Sequence, residues 1–359
     1  MKIMQVIPYF CFGGAETMCE NLTYALKNMG HQVVVVSLYG ERTPISRRME
    51  EAGVKIHYLD KKLGLDVSMI GKLKKLMTQE KPDVVHTHLD VIKYAAAAAK
   101  LAGVPRCVHT VHNVADKEAE GRAQKLINGF YFSHGWSVPV ALSPEVQKSI
   151  AAFYGLPLEK IPTIYNGIDL SRCLEKQDYA LQNPAILTHI GRFNEQKNHE
   201  GLLHAFALIH KKHPNTRLNL LGDGELLEQT QALAKTLGLS DSVDFLGSQS
   251  NVYPYLQKSD LFLLPSRYEG MPMTLIEAMG TGLPIVASKV GGVPDMLADG
   301  KSAILTDCNP EKVAQAVCRI LEDEALRKAL GRAAKAGSET FSAAHMAESY
   351  VRVYRAEGA

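Results

Sequence analysis

The sequence predicts an α/β protein built from two doubly wound parallel sheets, and four observations carry that prediction. β-Rich runs alternate with helically spaced segments along the whole chain, the signature of βαβ units. The alternation restarts near residue 185 after a polar, weakly patterned stretch. The length, 359 residues, suits two domains at about 100–200 residues each. The strand runs are apolar on consecutive positions, Val33-Val34-Val35-Val36 most plainly, as strands covered on both faces must be.

The elements follow in order. Ile3–Pro8 is a strand, then a glycine-containing loop, Cys11-Phe12-Gly13-Gly14-Ala15-Glu16. Met18, Leu22, Ala25, Leu26 and Met29 share one helical face over Thr17–Met29, which stops at Gly30. Gln32–Leu38, Val54–Leu59, Asp83–His88, Arg106–Val111 and Ser137–Leu142 continue the strands. Arg47–Ala52, Met69–Gln79, Val91–Ala102 and Ala119–Phe132 are the helices between them. Asn166-Gly167 signals a turn, and the polar stretch from Ile164 to Asn183 reads as the linker. In the second half, strands at Ala185–Ile190, Arg217–Leu221, Val243–Leu246, Leu261–Pro265, Pro284–Ala287 and Ala303–Leu305 alternate with helices. Those helices are Gly201–His213, Leu226–Leu237, Val252–Lys258 and Met273–Met279. A long C-terminal helical tail, Glu311 to Arg355, has expected breaks at Gly331, at Gly337 and near Phe341.

Composition removes several classes. With 46% hydrophobic and 22% charged residues the chain is neither disordered nor membrane-embedded. A formal charge of +2 is too balanced for a nucleic-acid binder, so no nucleic-acid partner is expected. The six cysteines contain no C-x-x-C pair, which argues against a zinc knuckle or a redox pair. Their scatter fits a reducing, cytoplasmic location. The opening apolar run is too short for a signal peptide. Residues 1–165 carry 20 Lys and Arg against 15 Asp and Glu, so the first half is the one to face an anionic partner. Met69–Met77 is apolar on one side and basic on the other. It reads either as a sheet-covering helix with solvated lysines or as a peripheral contact with the inner face of an anionic membrane.

Two clusters carry chemistry. In Ser266-Arg267-Tyr268-Glu269-Gly270-Met271-Pro272-Met273-Thr274-Leu275-Ile276-Glu277, a strand is expected to end at Glu269 and a helix to begin at Pro272 or Met273. Gly270 permits close backbone approach. The amides of Met273, Thr274 and Leu275 would head the helix and favour a phosphate. Glu277, a turn further on, is placed to accept hydrogen bonds from vicinal hydroxyls such as a ribose's. The ordinary alternative is a turn glutamate and a solvated helix glutamate. In Gly191-Arg192-Phe193-Asn194-Glu195-Gln196-Lys197, Arg192 and Lys197 flank a strand-to-helix loop. They could neutralise a leaving diphosphate without a metal; two surface cations are the alternative. His86 and His88 share a strand face, but zinc normally needs three or four ligands. Gly222-Asp223-Gly224 lacks the G-x-G-x-x-G spacing of a dinucleotide loop.

Together and in this order, these clusters resemble the retaining glycosyltransferases of family four, which have the GT-B fold. The resemblance extends through Gly13–Glu16, Asp83-Val84-Val85-His86-Thr87-His88, His109-Thr110-Val111-His112-Asn113, Asn166-Gly167-Ile168-Asp169, Leu221-Gly222-Asp223-Gly224 and Gly291-Gly292-Val293-Pro294-Asp295. It implies two Rossmann-like domains facing a deep inter-domain cleft: residues 1–166 on the acceptor side and 167–342 holding the donor. Residues 343–359 would form a terminal helix returning to the first domain. It assigns Arg192 and Lys197 to the donor diphosphate and Glu277 to the ribose. Glu269, with backbone from Gly270 through Met271, Pro272, Met273 and Thr274 to Leu275, would hold sugar and phosphates. Gly14 would approach the diphosphate, and His112 the sugar's primary hydroxyl. The family often has Asp after that histidine; here it is Asn113, so a charged partner at that position is missing. No cofactor or metal is implied. The implied reaction moves a sugar, with retention, from a nucleotide-diphosphate sugar (UDP preferred) to a hydroxyl acceptor. A lipid-linked saccharide in surface polysaccharide synthesis would be such an acceptor. The rivals are a UDP-sugar 2-epimerase of the same fold and a catalytically silent nucleotide-sugar-binding subunit.

Overall fold

The computed structural model describes residues 1–11, 13–119 and 121–357. They form two compact units, Met1–Gly167 with Ala343–Ala359, and Ile168–Ser342. Phe12 of the first glycine loop and Glu120 of the helix expected over Ala119–Phe132 lie outside the described residues.

The first unit runs β1 (Lys2–Ile7), α1 (Gly14–Asn28), β2 (Gln32–Ser37), α2 (Pro44–Glu51), β3 (Lys55–Tyr58), α3 (Ser68–Glu80), β4 (Val84–His88), α4 (Ile92–Ala102), β5 (Arg106–Val111), α5 (Ala115–Glu118), α6 (Gly121–Ser133), β6 (Val138–Ala141) and α7 (Pro144–Tyr154). Its strands pair in the order β3-β2-β1-β4-β5-β6, and each pairing is parallel. Met4, Val6, Val36 and Val85 pack against Met69, Leu73, Met77, Ile92 and Ala95 in one buried cluster. The apolar side of Met69–Met77 is therefore spent on the sheet. Helix α7 was not legible as a periodic run. Its start is set by Ser143, whose hydroxyl accepts from Val146 N–H at 3.2 Å, with Pro144 behind it, the combination favoured at helix starts. Helix α1 begins at Gly14, three residues before the expected Thr17. The terminal helix, Ala343–Tyr354, buries Tyr350 and Tyr354, and Arg106 Nε donates to the Val353 carbonyl at 3.2 Å.

The second unit runs β7 (Ala185–Ile190), α8 (His199–Lys212), β8 (Thr216–Leu221), α9 (Leu227–Thr236), β9 (Val243–Gly247), α10 (Tyr253–Gln257), β10 (Leu261–Leu264), α11 (Met273–Thr281), β11 (Ile285–Ser288), α12 (Val293–Met296), β12 (Ile304–Thr306), α13 (Pro310–Glu322) and α14 (Glu324–Ser338). Its parallel sheet has the order β12-β11-β10-β7-β8-β9. Leu187, Leu218, Leu263 and Val286 pack with Phe206 and Val317 in its core.

Three expectations are corrected. The helical tail breaks at Asp323, whose side chain caps α14 by accepting from Leu326 N–H at 2.9 Å. Gly331 and Gly337 lie inside α14. A Cβ at Gly331 would collide with the Gly282 carbonyl and the Tyr179 ring, so that glycine serves packing. The polar stretch after Asp169 is fastened to the second unit. Tyr179 OH donates to Gly282 O at 2.9 Å, Lys176 Nζ to Ser259 O at 2.9 Å, and Arg327 Nε to Tyr179 O at 3.0 Å.

In each sheet the chain starts in the middle, winds one way, then crosses to the other side. The reversal falls between β1 and β4 in the first sheet and between β7 and β10 in the second. Ligands of open α/β sheets bind beyond the carboxyl ends of strands at such switch points.

Candidate active site

In the second unit, the loops leaving β7 and β10 are the two that flank the switch point. They contain the Gly191–Lys197 and Ser266–Glu277 clusters. Strand β10 ends at Leu264, so Glu269 lies in the loop and does not end a strand. Asn194 opens a short 3₁₀ turn by accepting from Lys197 N–H at 3.2 Å. Asn198, at φ 54°, caps α8 by accepting from Gly201 N–H and donates to Pro265 O at 3.1 Å. That geometry delivers Lys197 across to the neighbouring loop.

The two loops are joined. Arg267 N–H donates to Gln196 O at 2.8 Å. Gln196 Nε2 donates to Tyr268 O at 3.1 Å and to Glu269 Oε2 at 3.2 Å. Lys197 Nζ meets Glu269 Oε1 at 2.5 Å. Behind them, Gly291 sits at φ 53°, where a Cβ would strike the Glu269 carbonyl, and Gly292 N–H donates to Gly270 O at 3.0 Å. The glycine pair is a seat for the Glu269-Gly270 turn. Gln196 and Gly291 were not singled out as site residues. The Gly-Gly pair following a strand was the available signal for the second.

Glu269 is 3% and Glu277 7% exposed, so neither is a solvated turn or helix residue. Gly270, Met271, Pro272 and Met273 are buried around them. Helix α11 starts at Met273 with Pro272 as its N-cap and no side-chain cap on its first turn. One expected free amide is committed, because Leu275 N–H turns back to Pro272 O at 3.1 Å. The amides of Met273 and Thr274 head the helix, where the backbone dipoles favour an anion. The Thr274 hydroxyl beside them is buried without a hydrogen-bond partner, as are Ser266 Oγ and His189 Nε2. These unpaired buried polar atoms leave hydrogen-bonding capacity at the switch point that a bound molecule could satisfy.

Arg192 is placed differently from Lys197. Its side chain is 64% exposed and pairs with Glu225 at 3.3 Å. On α11, Glu277 lies close enough to Tyr253 and Cys173 that its charge, after burial, raises both of their pKa values. Arg172 covers the Tyr253 ring at 4.7 Å. At the end of β7, His189 donates Nδ1–H to Leu263 O at 2.8 Å. Burial lowers its pKa to about 4, helped by the Lys197 charge and opposed by that hydrogen bond.

Gly14 and His112 belong to the first unit. Gly14 opens α1, preceded by Gly13 in extended conformation with no side-chain cap. His112 follows β5, half-buried, and burial lowers its pKa to about 4. Position 113 brings no charge, yet Glu118 of α5 does. Its carboxylate accepts from the backbone amides of His112 and Asn113, and its field opposes the effect of burial on His112. Behind His112 runs a buried polar chain. Gln5 Nε2 donates to Thr23 Oγ1 at 2.6 Å, which turns Gln5 Oε1 toward His88 Nε2 at 2.9 Å. His88 Nε2 therefore carries the proton, and His88 Nδ1 accepts from His112 Nε2 at 3.1 Å. His112 is left neutral with Nδ1 as an acceptor. His86 is bonded through both nitrogens, to Tyr354 OH and Thr110 Oγ1, each at 2.7 Å. Among the described residues no cluster of three or more His, Cys, Asp or Glu has metal-site geometry.

The family profile described as glycosyl transferases group 1 matches residues 172–337, and that described as glycosyltransferase family 4 matches residues 12–172. A UDP-Gal:alpha-D-GlcNAc-diphosphoundecaprenol alpha-1,3-galactosyltransferase of Escherichia coli is 30% identical over 279 residues, 73% of this chain and 72% of that protein. An N-acetyl-alpha-D-glucosaminyl L-malate synthase of Bacillus anthracis is 30% identical over 302 residues, 80% and 78% of the two chains. The crystal structure of Anabaena HepE in complex with UDP-glucose superposes with a TM-score of 0.87 at 19% identity, over 99% of this chain and 100% of that one. The fold is thus GT-B, the two-Rossmann architecture of nucleotide-sugar enzymes. The chain belongs to glycosyltransferase family 4 and is a glycosyltransferase.

Proposed function

We propose that this glycosyltransferase transfers a hexosyl or N-acetylhexosaminyl group, with retention, from a UDP-sugar to a hydroxyl of a lipid-linked saccharide during surface polysaccharide synthesis. The observation that carries the reading is the Lys197–Glu269 pair beside the uncapped start of α11 at the switch point of the second sheet. The galactosyltransferase relative, named for a UDP-sugar donor and a diphosphoundecaprenol acceptor, supports the donor and acceptor classes. The UDP-glucose bound to Anabaena HepE is in keeping with the donor class alone.

In this reading the amides of Met273 and Thr274, Lys197 and Arg192 receive the diphosphate, and Glu277 takes the ribose hydroxyls. Glu269 and the Gly270–Leu275 backbone hold the sugar and phosphates. His112 accepts through Nδ1 from a sugar hydroxyl, and Gly14 lets backbone approach the diphosphate. The anomeric C1–O bond to phosphate breaks as the acceptor oxygen bonds C1 on the same face. The acceptor proton passes to the departing phosphate oxygen, whose charge the cations and helix terminus stabilise.

A thermal-shift panel of UDP, GDP, ADP and their sugars tests the donor class, since only ligands of the native state raise its stability. UDP compounds should shift the melting temperature most. Activity should persist in EDTA. NMR of the product should show the donor's anomeric configuration kept; an inverted product would overturn the retaining assignment.

A further inference from the structure

Leu63, Leu65 and Val67, on the segment joining β3 to α3, are 92%, 77% and 69% exposed. Isolated exposed leucines need no explanation. Three at alternate positions on a pinned loop do. The pin is Lys61, only 9% exposed. Its ammonium donates to Gly64 O at 2.5 Å, Lys62 O at 2.9 Å and Tyr39 OH at 3.1 Å. Gly64 turns the chain at φ 77°. The Asp66 carboxylate accepts from Lys62 N–H and from Ser68, and Asp66 N–H donates to Tyr94 OH at 3.1 Å. The fold thus fixes a polar interior to hold apolar side chains in water.

Beside the apolar edge stand the exposed lysines Lys62, Lys72, Lys74 and Lys75. Val67 lies seven and eight residues before Lys74 and Lys75, on the same side of the helix. Of the nearby acids, Asp66 is turned into the loop, Asp60 is exposed, and Glu80 at the far end of α3 is occupied by Lys2 and Lys55.

We propose that this edge of the first unit is a docking surface for an anionic lipid bilayer. Leu63, Leu65 and Val67 enter the acyl boundary, and the lysines lie against headgroup phosphates. The side-chain types decide between a bilayer and a protein partner. Protein hot spots favour Trp, Tyr and Arg and disfavour Leu and Val, and interfaces are depleted in Lys. Aliphatic side chains ringed by lysine are what an interfacial anchor uses. The contact differs from the one the sequence suggested, since the apolar side of Met69–Met77 is buried and the preceding loop takes its place. The proposal rests on none of the donor-site assignments, because vesicle binding needs neither nucleotide nor acceptor.

The test is co-sedimentation of the full chain with phosphatidylcholine vesicles, with and without phosphatidylglycerol, at low and high salt. The wild type should bind only the phosphatidylglycerol vesicles and be released by salt. Leu63→Ser with Leu65→Ser should weaken binding at least tenfold. Lys74→Ala with Lys75→Ala should weaken it about twenty-five-fold, at about fivefold per lysine. Leu174→Ser, an exposed leucine of the second unit, should change nothing. Circular dichroism melts establish that each variant is folded. Wild-type binding that ignores phosphatidylglycerol, or double variants that bind as the wild type does, would overturn the proposal. A wild-type dimer in sedimentation velocity that Leu63→Ser with Leu65→Ser dissociates would also overturn it, assigning the edge to a second copy of the chain.

Discussion

Lys197 Nζ stands 2.5 Å from Glu269 Oε1, with side chains 14% and 4% exposed. One of the two cations assigned to the diphosphate is thus already balanced inside the protein. Arg192 faces water and pairs with the exposed Glu225. In the proposed donor site, the start of α11, with no side-chain cap, would supply positive potential from its backbone alone. In the proposed reading, Lys197 would divide its hydrogen bonds between Glu269 and an incoming phosphate.

Lys197→Ala should lower kcat/KM about a hundredfold, the usual cost of losing a preorganised donor to a leaving anion. Arg192→Ala should cost about tenfold, because solvent and salt screen an exposed guanidinium. Steady-state kinetics with the working donor decides between them. A larger loss for Arg192→Ala would show that the exposed cation carries the diphosphate.

Glu277→Gln should weaken binding of free UDP about tenfold, since a carboxylate accepting from two hydroxyls loses its charge-assisted bonds. Glu269→Gln should leave UDP affinity intact or improve it, because Lys197 is released toward the phosphates, while turnover falls. Isothermal titration with UDP separates the two, that ligand having a ribose and no sugar. Equal losses would mean that the ligand runs the other way along α11.

His88→Phe keeps a ring but removes the acceptor for His112 Nε2–H. The ¹⁵N imidazole spectrum of the wild type should show His112 protonated at Nε2 and neutral through the physiological range, as its lowered pKa requires. In the variant the proton should distribute between both nitrogens, and turnover should fall about tenfold with the fold intact. An unchanged His112 spectrum would remove His88 from the positioning role.

Acid should destabilise the protein through its buried histidines. Burial holds His112 and His189 down to about 4 and His199 to about 2. The unfolded chain therefore binds more protons than the native one below about 6.5, and stability is present above that pH and lost as pH falls toward the folded values. Each such group contributes a slope of about 1.4 kcal/mol per pH unit in that window. His199 stacks on Phe193 at 3.9 Å with neither nitrogen hydrogen-bonded. His199→Gln should remove about one proton's worth of slope between pH 6 and 4 in urea titrations, whatever its effect at pH 7; an unaltered slope would refute the assignment.

The sequence by itself determined the order of the strands and of most helices, because consecutive β-branched runs and 3.6-residue apolar spacing are local signals that the parallel sheets then bury. It also singled out Glu269, Glu277 and Lys197 as candidates, and the fold buries both glutamates. Only the tertiary structure decided that Lys197 pairs with Glu269 while Arg192 does not, since that depends on an Asn194 turn and an Asn198 cap delivering one side chain across the switch point. Gly291 acquired its role the same way, from a carbonyl 22 residues earlier in the chain. Helix α7 hid behind a start signal with little periodicity, and Gly331 passed for a helix break because glycine in a sequence does not say whether backbone freedom or close packing is wanted. Leu63, Leu65 and Val67 were unreadable for the same reason. Apolar residues declare that they avoid water in the chain's own core or elsewhere, and only the folded loop, pinned by Lys61, shows that its own core does not take them.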